Sequence, residues 1–156
     1  MNYYLDSNIC IYFLKGIYPL IKEKILSTNP YTIKIPSIVK AELLYGAEKS
    51  QQKAKNLITI KQFLEPFEIV PFDEECSLVY SKIRAAIELK GRVIGPNDII
   101  IAATVLAKNG VLVTNNTKEL EKVKNLKLDF KVTSFLKIYK KGLPPAWNPK
   151  IRRRIC

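Results

Sequence analysis

The sequence predicts an α/β domain built on a small, mainly parallel sheet. Three observations lead there. Short β-branched or aromatic runs alternate with longer segments of helical period. The runs are separated by helix-length spacers rather than hairpin turns, so neighbouring strands are joined by crossovers and lie parallel. The 156 residues suffice for one compact domain, and apolar (47%) and charged (26%) fractions are those of a globular chain.

The elements follow in order. Residues 2–5 (NYYL) read as a strand, Asp6-Ser7-Asn8 supplies capping groups, and Ile9 to Leu14 opens a helix. Pro19 to Leu26 continues as a second helical piece, and Tyr31 to Ile35 reads as a strand stopped by Pro36. Ser37 is placed to cap a helix from Ile38 to about Ala47, and Gln51 to Leu64 is helical by period. Phe67 to Val70 is a third strand. Asp73 to Lys90 is an amphipathic helix, with Val79, Ile83, Ala86 and Ile87 at helical spacing. After Gly95-Pro96, Asn97 is read as the cap of a helix from Asp98 to Lys108, whose interior IIIAATVLA is apolar nearly all round and so belongs at the centre of the domain. Val111 to Val113 is a buried strand, Thr114 to Val123 a polar loop that becomes a helical turn, and Leu128 to Val132 an edge strand. Residues 1–141 are taken as the domain and 142–156, introduced by Pro144-Pro145, as a basic tail.

Composition removes whole classes of chemistry. The chain has no histidine, which excludes Ser-His-Asp and Cys-His triads, paired-imidazole ribonuclease chemistry and nearly every catalytic zinc geometry. Cys10, Cys76 and Cys156 are odd in number and far apart, so neither a disulfide framework nor a thiolate zinc site is expected, and a reducing cytoplasm fits best. The N-terminus shows no signal-peptide pattern, and no apolar run reaches the roughly 18 residues that would span a membrane. There is no G-x-G-x-x-G and no G-x-x-x-x-G-K-[ST] phosphate loop. The net charge is +12, and after Asp129 there is no acid but eight basic residues, from Lys131 to Arg154. Such a surface favours a polyanion, nucleic acid first; for the tail alone, a merely solubilising role fits equally well.

Most of the 14 acids lie on polar faces among other charges. Four do not. Asp6 directly follows a strand, where α/β sites form, although taken alone it reads first as a helix cap. Glu42 lies in the largely apolar IVKAELLY and alone proves little. Asp98 opens the most apolar helix of the chain, where the helix dipole favours an anion by about 0.3–1 kcal/mol. Glu119 follows the strand VLV and the turn TNNTK. Three of the four map to the strand-end side of a parallel sheet: two follow the carboxyl ends of candidate strands, and one begins the central helix. Two like charges about 4 Å apart cost roughly 4 kcal/mol at an effective dielectric near 20, which a fold tolerates only with a cation or a proton. Oxygen ligands without His or Cys select Mg²⁺ or Mn²⁺. The acids, the charge and the missing histidine point to metal-assisted phosphodiester hydrolysis.

Three segments, YYLDSNICIYFLK, PSIVKAELLYGA and IGPNDIIIAATVLAKNGVLVTNNTKELEKV, in this order and spacing resemble the VapC-type PIN-domain ribonucleases, over about residues 2 to 129. The likeness is greatest to the branch that cleaves transfer RNA, above all initiator tRNA. The resemblance implies an α/β/α sandwich and Mg²⁺- or Mn²⁺-dependent cleavage of RNA. It also implies a type II toxin–antitoxin module, a VapB-like antitoxin covering the acidic pocket, and a homodimer. Asp6 matches the first family acid, Glu42 the second, Asp98 the third in G-x-N-D, and Glu119 the fourth in T-x-N-x-x-[DE]. Thr114 and Asn116 match the polar residues of that last motif, and Ser7 and Asn8 those supporting the first acid. The sequence departs from the family at Glu119, more often Asp, whose extra methylene implies contact with a metal through water. It departs also at Leu120, where Phe is common, in NLKLDFKV, and after Gly142, where no counterpart is found. Three rivals are weighed against this reading. A non-catalytic RNA-binding PIN module would have lost acids, a housekeeping PIN nuclease usually carries more domains, and an unrelated nucleotide-binding domain would need a phosphate loop.

Overall fold

The computed structural model describes residues 1–129 of the chain. Five strands form one parallel sheet: β1 (Tyr3–Leu5), β2 (Ile33–Pro36), β3 (Glu68–Val70), β4 (Val111–Val113) and β5 (Lys127–Asp129), in the order β3-β2-β1-β4-β5. The helices are α1 (Ser7–Lys15), α2 (Pro19–Ser27), α3 (Ser37–Glu48), α4 (Lys53–Leu64), α5 (Glu74–Glu88), α6 (Pro96–Ala107) and α7 (Thr117–Leu120). The chain steps from β1 to β2 to β3 in one direction, then returns past β1 to β4 and β5. Right-handed crossovers therefore place α1 to α4 on one face and α5 to α7 on the other, which gives the expected α/β/α sandwich. The direction of winding reverses between β1 and β4, whose register pairs Leu5 with Val113. That crevice, at the carboxyl ends of the strands, is where such sheets bind ligands.

The core follows the apolar pattern. Leu5, Ile33, Ile35 and Leu112 on the strands and Ile101, Ala102, Ala103 and Val105 on α6 are almost wholly enclosed, so the all-apolar helix does lie at the centre. Cys10 and Cys76 are free and buried, and burial pushes the Cys10 thiol far up, leaving it inert. Among the described residues no helix is long and apolar enough to cross a membrane.

Several boundaries differ from expectation for identifiable reasons. Tyr31 is not in a strand: Pro30–Thr32 form a 3₁₀ turn, with the Asn29 side chain accepting from the Tyr31 N–H at 3.0 Å, and β2 starts only at Ile33. Ser37 is the first residue of α3 rather than its cap, a role that falls to Pro36. Asn97 does not cap α6, which begins at Pro96 behind Gly95; proline suits that first position because its missing N–H would be unbonded anyway. Asp73 does cap α5, accepting from the Cys76 N–H at 3.0 Å. The edge strand lies at Lys127–Asp129, earlier than expected; the rest of that segment, the domain limit at 141 and the tail 142–156 fall outside the described residues.

Gly110, between α6 and β4, lies where a Cβ would run into the ring of Tyr4, itself buried. Nothing larger than hydrogen fits there unless the Tyr4 ring or β1 shifts. Gly110→Ala should therefore destabilise by about 1–3 kcal/mol, the usual cost of overpacking, read as a lowered midpoint in urea at unchanged slope. An unchanged midpoint would mean that the ring has room to move.

Candidate active site

Asp6 follows β1 with extended backbone and caps α1: its carboxylate accepts from the Ser7 N–H at 2.6 Å. The capping role and the site role thus coincide in one side chain. Its other oxygen accepts from the Thr114 hydroxyl at 2.7 Å, and its own N–H donates to the Val113 carbonyl at 3.0 Å. The ends of β1 and β4 are joined by both bonds. Asp6 is only 4% exposed and Thr114 fully enclosed. The Thr114 oxygen also accepts from the Asn116 N–H at 2.9 Å, and the Asn116 amide donates to Asp98 at 2.9 Å. Asp98 sits in the first turn of α6.

Glu42 arrives from α3. One carboxylate oxygen accepts from the Ser7 hydroxyl and the other from the Asn97 amide at 2.7 Å. Because Asn97 precedes Asp98, the chain of contacts closes on itself: Glu42, Ser7, Asp6, Thr114, Asn116, Asp98, Asn97 and back to Glu42. Four separated segments of sequence are locked into one polar ring. Glu119 is on α7, half-buried, and joins through its field, since its charge is among those that push Asp98 upward. Asn8 is exposed and makes no side-chain hydrogen bond to the cluster among the described residues; of the polar residues expected to support the acids it alone stands apart. Asn97 is the functional residue that sequence reasoning misplaced. Only its neighbour Asp98 marked it, because a partner 55 positions away leaves no periodic trace.

The electrostatics are those of crowded carboxylates. Burial is the main cause that raises the Asp6 carboxyl, opposed by its Thr114 and Ser7 bonds, with the charge of Glu42 adding to the rise. Burial also leads for Asp98, followed by the charge of Asp6, and the Asn116 bond offsets part of it. Among the described residues no three acids already converge as a metal cage; Ser7, Asn97, Thr114 and Asn116 hold them in place instead. The donor set nevertheless fits a hard divalent cation, being all oxygen, half-open and under mutual repulsion that a cation would relieve.

The sign of the pH effect follows. Both aspartates bind protons more tightly folded than unfolded, so stability falls as pH rises from about 4, their ordinary value, through the raised folded values. At pH 7 without metal, Asp98→Asn, which keeps an oxygen for the Asn116 bond, should raise the melting temperature. It should also lose most of the stabilisation that millimolar Mg²⁺ gives the unaltered protein. Thermal melts with and without EDTA test both, and a melting temperature lowered by Asp98→Asn would show that the charge is already compensated.

Comparison with known proteins gives the family. The PIN domain model matches residues 3–126. The chain is 42% identical over 132 residues to the Ribonuclease VapC2 of Rickettsia felis, covering 83% of this chain and 97% of that protein. It is 34% identical over 129 residues to the tRNA(fMet)-specific endonuclease VapC of Shigella flexneri, again over 83% and 97%. Among solved structures it resembles VapBC2 from Rickettsia felis bound to a DNA fragment from their promoter, with a TM-score of 0.76 and 40% identity over 83% of this chain and 98% of the other.

Proposed function

This chain belongs to the PIN-domain family, in its VapC ribonuclease branch, and from that premise we propose that it is an Mg²⁺- or Mn²⁺-dependent endoribonuclease toxin that cuts transfer RNA and is neutralised by a VapB-like antitoxin. The observation that carries the reading is the closed ring in which Asp6, Glu42 and Asp98 are aimed at one crevice by Ser7, Asn97, Thr114 and Asn116. A non-catalytic binding module would have no need to sustain that repulsion. The relative from Shigella flexneri bears the name of a tRNA(fMet)-specific endonuclease, which supports transfer RNA, initiator tRNA above all, as the substrate. The VapBC complex from Rickettsia felis supports the antitoxin. A homodimer working in the cytoplasm completes the reading.

Asp6 and Asp98 would hold the ion directly, Glu42 beside them, and Glu119 through water. When bound, the ion supplies a water acidic enough to attack at neutral pH and neutralises charge on the phosphate. The chain's own residues prepare the site. Thr114 and the Ser7 N–H fix both oxygens of Asp6, so its orientation is settled before substrate arrives. Asn116 does the same for one oxygen of Asp98. Ser7 and Asn97 occupy both oxygens of Glu42, which places it as a partly committed third ligand. The N-terminus of α6 directs its open N–H groups and dipole toward the crevice, favouring the phosphate.

Incubation of the purified protein with total tRNA in Mg²⁺, in Mn²⁺, in EDTA and with Asp98→Asn tests the proposal. Cleavage should require metal and fall in the folded variant by more than the roughly 10–100-fold typical of losing an outer-shell partner. Cleavage that survives both EDTA and Asp98→Asn would exclude the mechanism.

Residues 142–156, with Lys150 and Arg152 to Arg154, are proposed to add phosphate contacts outside the catalytic module. Truncation after Gly142 should weaken RNA binding and flatten its salt dependence, by about 0.7 in the log–log slope per lost contact to a single strand. An identical slope would leave the tail a solubilising role only.

A further inference from the structure

Among the described residues, the sheet topology leaves one region of the α1–α2 face thinly covered. Helices α3 and α4 follow β2 toward β3, so of the described helices only α1 and α2 border the β4–β5 half of the sheet on that side. A cavity of about 330 Å³ opens there, at the lower end of the range for small-molecule sites. Leu5 and Val113 form part of its lining. These are the residues immediately before Asp6 and Thr114, so the cavity wall and the carboxylate ring meet at the bond from the Asp6 N–H to the Val113 carbonyl.

Its lining is apolar and aromatic with few directional groups. Tyr12 and Tyr18 meet edge to face with ring centroids 4.9 Å apart. Tyr18 is about half exposed. Asn115 donates its amide N–H to the Tyr12 hydroxyl at 3.0 Å, which leaves the carboxamide oxygen as an acceptor at the rim. Asn115 stands between the two residues that hold Asp6 and Asp98, so a contact to it is registered with the site. Lys24 and Asp129 also line the cavity, both buried and electrostatically coupled, and their opposite charges give it no net preference for an ion. An aromatic wall, one directional acceptor and no net charge are what an unstacked nucleobase requires. None of the ring's own carboxylates lines the cavity, but Leu5, Val113 and Asn115 of its lining are the chain neighbours of Asp6, Thr114 and Asn116, which sets a base seated there beside the carboxylate ring.

We propose that this cavity seats one nucleobase of a single-stranded RNA substrate next to the phosphate held at the carboxylates. Tyr18 is its stacking surface, and the Asn115 carboxamide oxygen accepts from the N–H edge of the base. The assignment rests on the ribonuclease reading and adds to it the residues that choose the nucleotide at the cut.

The test uses the full chain carrying Asp98→Asn, which binds without cutting, and a short single-stranded RNA that the unaltered protein cleaves. Affinity is measured for that RNA and for versions with an abasic nucleotide at each position in turn. One abasic position beside the cut should weaken binding roughly tenfold, the scale of losing one base stacked on an aromatic ring. Adding Tyr18→Ala should weaken the intact RNA to a similar degree and erase that abasic penalty, whereas Tyr18→Phe should retain it. A scan with no sensitive position, or a penalty that persists unchanged in Tyr18→Ala, overturns the seat while leaving the nuclease standing; the cavity would then serve a protein segment instead. If the unaltered protein cleaves no RNA at all, the ribonuclease reading falls and this assignment with it.

Discussion

Mutual repulsion among carboxylates at the end of a dry sheet is the constraint around which this structure is arranged. Asp6 is nearly sealed from solvent, and Asp98 feels the charges of Asp6, Glu42 and Glu119 together. Desolvation and like charge both act against ionisation, and the fold meets them with donors. The four carboxylate oxygens of Asp6 and Glu42 each accept a bond, and Asp98 accepts a fifth, from Asn116. Every one of those donors is a neutral hydroxyl, amide or backbone N–H. No lysine or arginine is spent on the cluster among these bonds, so the site keeps its negative potential for a cation to answer.

The topology decides where such a cluster can stand. The reversal of winding between β1 and β4 creates a crevice that no crossover helix of the described residues fills. Asp6 and Thr114 are the first residues beyond those two strands, paired across the crevice by register. Helices α3 and α6 then contribute only one acid each, Glu42 and Asp98, and Asn97 ties the two helices together. Gly110 belongs to the same economy of space: by letting Tyr4 sit close against the start of β4, it helps set β1 and β4 at the spacing on which the Asp6–Thr114 bond relies.

Much of this could be read from the sequence because the signals are local. An acid after a strand, an acid opening an all-apolar helix and a T-x-N turn after a buried strand each depend on neighbours in the chain. The parallel sheet followed from spacing alone. What escaped was long-range or the outcome of local competition. The aromatic, β-branched run at Tyr31 has strand propensity, but Pro30 and the Asn29 cap hold the backbone in a turn. Asn97 was legible as a capping type, and Pro96 took the start of the helix, freeing the amide for Glu42. The Asn115–Tyr12 bond spans 103 positions and could not be inferred from either residue. Glu119 was legible as a position, yet its part is a field rather than a bond.

The absence of histidine and the excess of positive charge are two sides of one electrostatic design. Without imidazole, nothing in the ring can gain a proton and become cationic near neutral pH, so the crevice stays an anionic island whatever the substrate does. An anionic island alone would repel RNA. The chain as a whole carries a net charge of +12, a long-range field of the opposite sign that attracts a polyanion over about one Debye length, roughly 8 Å at physiological salt. At contact range the balance inverts, and on the proposed reading a divalent ion between carboxylates and phosphate would reconcile the two. The same contrast explains why a basic side chain from a protein partner would be a natural plug: it satisfies the crevice as the ion does, while offering the phosphate nothing.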